Sequence, residues 1–241
     1  MKVKRLSIVV LMFALGVGLI QADKTVKFVS NSISCGGCAG KIKNAVSALD
    51  GVSGSEVNLE SKVVGITYDE SKVKPEQIKE AIVAVKHTAE DYDENAVILK
   101  TASFYAKQIN CGGCAGKVKK NIGAEANIIS VEADPATKIV KIEYDANKTS
   151  RKNFKDYFKK FDYTVTNYYP SEKVSYARYT FEDISSKVAD IEKTLKETKG
   201  VLDYTTNEKT NTLAVAYNNT LVTEEVLAEN LQKNDLKLAS K

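Results

Sequence analysis

Cys35-Gly36-Gly37-Cys38-Ala39-Gly40-Lys41 returns letter for letter as Cys111-Gly112-Gly113-Cys114-Ala115-Gly116-Lys117, 76 positions later. Seven matching residues that include two cysteines mark an internal repeat, which sets the architecture before any single element is assigned. At the same offset Val64, Ile66, Tyr68 and Asp69 fall on Val140, Ile142, Tyr144 and Asp145, so the repeat runs well past the cysteines. A diverged third copy at an offset of 149 sets Gly51-Val52 on Gly200-Val201, and Val64, Ile66 and Tyr68 on Leu213, Val215 and Tyr217. Taken without gaps, that copy puts Ile184-Ser185-Ser186-Lys187 where the others have Cys-Gly-Gly-Cys. It has no thiolate, and Lys187 brings a cation to the vacated position.

Each copy has the same succession of hydrophobic periods. A short extended run, Thr25 to Ser30 or Ala102 to Lys107, leads into the cysteine loop, and apolar residues then recur at helical spacing at Ile42, Ala45, Val46 and Leu49. Val57 to Leu59 and the alternating Val64, Ile66, Tyr68 predict a hairpin. A second helix carries Ile78, Ile82 and Val85, then Phe154, Phe158 and Phe161, then Leu227 and Leu231; Pro75 suits its first turn, where a missing N–H costs nothing. A final strand at Thr88 to Asp91 or Tyr163 to Thr166 completes β-α-β-β-α-β. The fold class expected is α+β, as three tandem ferredoxin-like units spanning 24–92, 100–168 and 173–241. The polar connectors Tyr92 to Asn95 and Tyr169-Pro170-Ser171-Glu172 join them, and Pro170 stiffens the second joint.

Of the 241 residues, 43% are hydrophobic and 27% charged, which excludes collagen-like and wholly disordered classes. Residues 1–22 have the layout of a secretory signal: cationic Lys2, Lys4 and Arg5, an uncharged run from Leu6 to Ile20, and Ala22 at a cleavage point. The expected location is therefore exported, periplasmic or extracellular, with an uncleaved N-terminal anchor as the alternative and no other membrane association. The net charge of +4 falls to +1 without that segment, far from the basic excess of a nucleic-acid binder. With His87 the one histidine, Ser-His-Asp and repeated Cys-His sites lack material, and no enzyme activity is expected.

Cys-x-x-Cys with glycine at both x positions lets two sulfurs converge, because glycine keeps side chains away and permits the backbone angles such a loop is expected to need. Cys38 and Cys114 are expected to begin the first helix of their units, where the partial positive charge favours thiolate. Soft thiolates select Cu(I) and other thiophilic ions over hard cations. A structural zinc site usually takes four ligands, and the spacer between the pairs exceeds that of a zinc ribbon, so two separate two-sulfur sites fit better than one shared site.

These residues give units one and two a resemblance to the heavy-metal-associated domains of copper chaperones, copper-transporting ATPases and periplasmic mercury-scavenging proteins. The resemblance implies that Cys35, Cys38, Cys111 and Cys114 bind a metal ion, Cu(I) foremost with Hg(II) and Zn(II) as alternatives, and pass it to a partner by thiolate exchange. A metal-transporting ATPase or another metal-binding domain is the partner it implies. The family's Met two residues before the first cysteine is here Ile33 or Ile109, still apolar and suited to plugging the core beneath the loop. The family's loop facing the metal falls on Lys86-His87 and Asp162-Tyr163, which makes His87 a candidate third ligand or outer-shell modulator.

Two readings from other classes compete. Cys-x-x-Cys at a helix start also serves thiol-disulfide oxidoreductases or forms oxidised structural pairs, and exported compartments oxidise thiols. The cysteine-free third unit suggests an adaptor or interaction module. Lys41, Lys43, Lys117, Lys119 and Lys120 make the first helices basic, a candidate docking face for an acidic partner domain. Tyr157, Tyr163, Tyr168 and Tyr169 are expected to pack between units two and three rather than to stack nucleic-acid bases.

Overall fold

The computed structural model describes residues 23–233 and 238–239; the signal segment expected at residues 1–22 lies outside them. Among the described residues no helix is long and apolar enough to cross a membrane. The chain divides into two compact units, one ending at Tyr92 and one running from Asp93 onward.

The first unit is a single βα module: β1 (Lys24–Val29), α1 (Gly36–Ser47), β2 (Val52–Asn58), β3 (Val63–Tyr68), α2 (Pro75–Ala84) and β4 (Glu90–Asp91). Its sheet runs β2-β3-β1-β4 and each pairing is antiparallel, the arrangement expected of βαββαβ. Alternation in β3 buries Val64, Ile66 and Tyr68 on one face, where Ile42 and Val46 of α1 and Ile78 and Ile82 of α2 close the core. Pro75 opens α2, and the backbone N–H of Lys74 donates to Gln77 Oε1.

The second unit holds two modules. One comprises β5 (Leu99–Tyr105), α3 (Gly112–Gly123), β6 (Ile128–Asp134), β7 (Ile139–Asp145), α4 (Phe154–Lys160) and β8 (Thr166–Asn167), in the sheet order β6-β7-β5-β8. The other comprises β9 (Val174–Thr180), α5 (Val188–Glu197), β10 (Val201–Asn207), β11 (Thr212–Asn218) and α6 (Glu224–Gln232), in a three-stranded sheet β10-β11-β9. Beyond these three strands, among the described residues, Phe181 makes an isolated antiparallel bridge with Leu238.

Backbone irregularities repeat as faithfully as the helices and strands. The turn before the second strand takes a left-handed φ at Gly51, Asn127 and Gly200, and each hairpin turns through a left-handed residue, Lys62, Lys138 or Asn211. The register of the hairpin slips at the same place in every copy, between Val52 and Gly54, Ile128 and Ser130, and Val201 and Asp203. Glycine is demanded at position 51, where an added Cβ would stand 2.7 Å from the Lys72 Cβ.

The third module departs from an ungapped repeat at its helix start. Val29 lies opposite Val63 and Thr180 opposite Thr212, so the first strand is displaced two residues further along the chain than the hairpin is. Ile184 then takes the place of Ile33 and Ile109, and all three are buried to 2% exposure or less. From this plug to the first fully buried residue of the helix there are nine positions in the first two modules (Ile33 to Ile42, Ile109 to Val118) and seven in the third (Ile184 to Ile191). The expectation that Ile184-Ser185-Ser186-Lys187 overlies Cys-Gly-Gly-Cys is therefore corrected. A tight turn of 3-10 type at Ser185–Lys187 stands in place of the first turn of the helix, so that α5 begins only at Val188, and Lys187 lies 3.9 Å from Asp190.

The second and third modules meet through polar and aromatic contacts. Lys155 Nζ lies 2.6 Å from Asp203 Oδ1, with both side chains mostly shielded at 23% and 15% exposure. The backbone N–H of Asn167 donates to Asp203 Oδ2 at 2.7 Å, and the rings of Tyr105 and Tyr176 stack at 4.0 Å. Of the tyrosines expected at this joint, Tyr168 stacks near Tyr176 and Tyr169 bonds to the Tyr176 hydroxyl. Tyr157 and Tyr163 instead pack against the core of the second module.

Candidate metal centre

Both cysteine pairs stand at the N-terminus of a module's first helix. Cys35 and Cys111 are the N-cap residues of α1 and α3 in extended conformation, so each helix starts one residue after the first cysteine rather than at the second. Cys38 and Cys114 sit in the first turn, among the N–H groups that favour negative charge. The glycines between them belong to the helices and do not use left-handed backbone, contrary to the expectation from sequence. Their contribution is room: a Cβ on Gly36 would meet nothing within 4 Å, and one on Gly37 would meet only Cys35 Sγ, at 3.7 Å.

In the first module the sulfurs are free and lie 3.3 Å apart, Cys35 exposed and Cys38 half-buried. A hydrogen bond from the Ser34 backbone, assisted by the Cys35 and Ser34 side chains, lowers the Cys38 thiol to about 7. Two metal–sulfur bonds of about 2.3 Å each span at most about 4.6 Å, so sulfurs this close can clasp one ion after a small side-chain adjustment. Ile33 is buried directly before the loop, and its N–H donates to Ser30 O, tying the loop's approach to the end of β1.

In the second module the same heptapeptide is oxidised, Cys111 being joined to Cys114. The Cys114 backbone N–H donates to Cys111 Sγ at 3.2 Å, and Cys114 Sγ lies 3.5 Å from Asn110 Oδ1. The pair must be reduced before it can offer thiolates to a metal.

His87 does not join the cysteines. Among the described residues no three His, Cys, Asp or Glu side chains gather as a metal-binding group. Its Nδ1 lies 2.9 Å from Ser32 Oγ, which also accepts from the Thr88 N–H at 3.0 Å, so His87 braces the approach to the loop from one layer back. Lys86 and Asp162 take the same left-handed φ at the ends of α2 and α4, which brings the following His87 and Tyr163 to equivalent places. Lys41, Lys43, Lys117, Lys119 and Lys120 are exposed on α1 and α3. Sequence reasoning missed Gln108, Thr164 and Thr212, whose bonds link the second cysteine loop to the third module; nothing in the periodicity marks them.

Comparison with known proteins gives a consistent set of similarities. A family profile of the heavy-metal-associated domain matches residues 29–88 and 103–160. The copper chaperone CopZ of Staphylococcus aureus (strain bovine RF122 / ET3-1) is 46% identical over 50 residues, covering 21% of this chain and 74% of its own length. The copper-exporting P-type ATPase of Bacillus subtilis (strain 168) is 21% identical over 143 residues, 59% of this chain; the match spans only 17% of the ATPase. Among solved structures, a CopZ metallochaperone matches over 27% of this chain and 98% of its own, at 33% identity and a TM-score of 0.27.

Proposed function

The chain belongs to the heavy-metal-associated domain family, and from that premise we propose that it is an exported Cu(I) carrier or buffer that takes up and releases the ion by thiolate exchange. Cys35 and Cys38 form one site; Cys111 and Cys114 form the other once reduced. The observation that carries this reading is the first pair, two free sulfurs 3.3 Å apart at an open helix terminus, one with its thiol lowered to about 7. Thiolates so placed are soft donors, and a two-sulfur site leaves room for an incoming ligand, as transfer between proteins requires. Hg(II) shares this softness and is the rival cargo. Zn(II) is disfavoured by the absence of further ligands among the described residues.

The similarity to chaperone and ATPase sequences supports a metal-binding domain, such as that of a metal-transporting ATPase, as donor or acceptor. The exposed lysines of α1 and α3 would face an acidic partner surface, an attraction that weakens as salt rises. Export rests on the character of residues 1–22. No catalytic role is assigned to any residue.

The test is an anaerobic titration of the fully reduced protein with Cu(I) against a competing chelator. Close to two tight equivalents are expected, with Cys35→Ser/Cys38→Ser and Cys111→Ser/Cys114→Ser each removing one. Failure to compete for Cu(I) at either site overturns the reading, and stronger competition for Hg(II) alone reassigns the cargo. The disulfide favours a second reading, thiol-disulfide exchange. It predicts turnover of a disulfide-bonded protein substrate such as insulin, whereas a metal carrier leaves that substrate intact.

A further inference from the structure

The third module keeps the fold and lacks the cysteines, and its contacts run toward the cysteine loop of its neighbour. Thr212 on β11 places its Oγ1 2.5 Å from Thr164 Oγ1, and both residues are buried. Thr164 belongs to the segment between α4 and β8, which leads out of the Asp162-Tyr163 loop. With its amide oriented to satisfy both partners, Gln108 donates to Thr164 O at 3.0 Å and accepts from Thr164 N at 3.1 Å. Gln108 precedes the plug Ile109 and stands three positions before Cys111. Asn110, between them, contacts Cys114 Sγ. Hydrogen bonds from Thr212 to Thr164 and from Thr164 to Gln108, continued by the backbone through Ile109 and Asn110, thus connect the third module to the second cysteine loop.

A second clamp grips what flanks that segment. Asp203 on β10 accepts from the Asn167 backbone N–H in β8 and pairs with Lys155 of α4, so the third module holds the strand after Thr164 and the helix before it. In the first module the equivalent loop is fastened internally: Ser32 stands where Gln108 does and bonds to Thr88, the counterpart of Thr164, while β4 is exposed.

We propose that the third module is a bracket for the second metal site, in which Thr212 and Asp203 act as positioning residues that fix Thr164 and, through Gln108, the approach to Cys111. The proposal rests on the reading of Cys111 and Cys114 as a metal site, and it adds that this site alone depends on a module with no ligand of its own. Thr212 Oγ1 also lies 2.8 Å from Thr210 Oγ1 within its own module; losing the buried bond that crosses to Thr164 amounts to about a fivefold change in an equilibrium.

The experiment uses the full chain, reduced, with Cys35→Ser/Cys38→Ser to isolate the second site. Thr212→Val, which keeps the shape and removes the hydroxyl, is expected to speed release of Cu(I) to a chelator about fivefold, and Thr212→Ser to restore the original rate. In the reciprocal Cys111→Ser/Cys114→Ser background, Thr212→Val should leave the first site unchanged. Alkylation of Cys111 and Cys114 in the metal-free reduced protein supplies a readout independent of cargo, faster with Thr212→Val and normal with Thr212→Ser. Absence of metal at the second site of the unsubstituted chain would overturn the metal reading, and the alkylation rates would then decide the bracket separately. Equal alkylation and release rates for the valine and threonine proteins, or failure of serine to rescue, would overturn the bracket. Should Thr212→Val fail to fold, Asp203→Asn tests the second clamp with the same two readouts and the same outcomes.

Discussion

The first and second modules carry an identical heptapeptide on the same helix terminus, yet the structure gives it two different settings. In the first, the sulfurs are free, the loop is fastened to its own module through Ser32 and Thr88, and the last strand is an exposed edge. In the second, the sulfurs are joined and the corresponding strand lies under a neighbouring module. A motif therefore specifies which chemistry is available, while the surroundings decide when it is available and how firmly it is held. The core beneath does not make the difference, since Ile33 and Ile109 plug both loops alike.

The largest test of this contrast is oxidation state. Thiol titration after reduction should find both pairs, and Cu(I) loading of the second pair should require that its Cys111–Cys114 disulfide be reduced first. If both pairs react equally from the start, the contrast between the loops disappears.

Core truncation offers a test of intermediate size. Ile33→Ala should cost about 2–5 kcal/mol, seen in thermal unfolding as a lower midpoint for the first unit alone. Ile109→Ala should lower the transition of the second and third modules together, because polar and aromatic contacts join them in one compact unit. Independent melting of the second and third modules would break the picture of a shared unit.

The smallest effect concerns pH. With its thiol lowered to about 7, Cys38 is roughly half thiolate at neutral pH, where an ordinary thiol is a few per cent ionised. Alkylation of Cys38 in the reduced protein should rise with pH through a midpoint near 7 and level off above it. Replacing Ser34 with alanine should move the midpoint only modestly upward, because the Ser34 backbone supplies the largest contribution and the side chain a lesser one. A midpoint near that of a free thiol would remove the distinction claimed for the first loop.

Much of this architecture is legible in the residues. Period-two and helical spacings place the β-α-β-β-α-β order because each module buries one face of a sheet beneath two helices, and Val64, Ile66 and Tyr68 fall inside as alternation requires. The seven-residue repeat locates both cysteine pairs at helix starts for the same reason. The ungapped third copy misled because the hairpin, which dominates the similarity, keeps one register while the strand before it keeps another. Burial of Ile184, a tertiary property, reveals the shortening between them. The different states of the two identical heptapeptides could not be read from letters they share. Nor could the Thr212–Thr164–Gln108 path, since isolated polar residues meeting across modules leave no periodic trace.

The shortening by two residues at the start of α5 leaves the third module without room for a Cys-x-x-Cys pair at the place the other modules use. Counting back from the core residue Ile191 and forward from Ile184, the positions answering to the two cysteines are the adjacent Lys187 and Ser186, with no residues left between them. Writing Cys-Gly-Gly-Cys over 184–187 would also put a thiol in place of a buried isoleucine. Substitution alone therefore cannot write the spacing of the other two modules here; two more residues between Ile184 and Ile191 would be needed before a pair of cysteines could stand as Cys35 and Cys38 do.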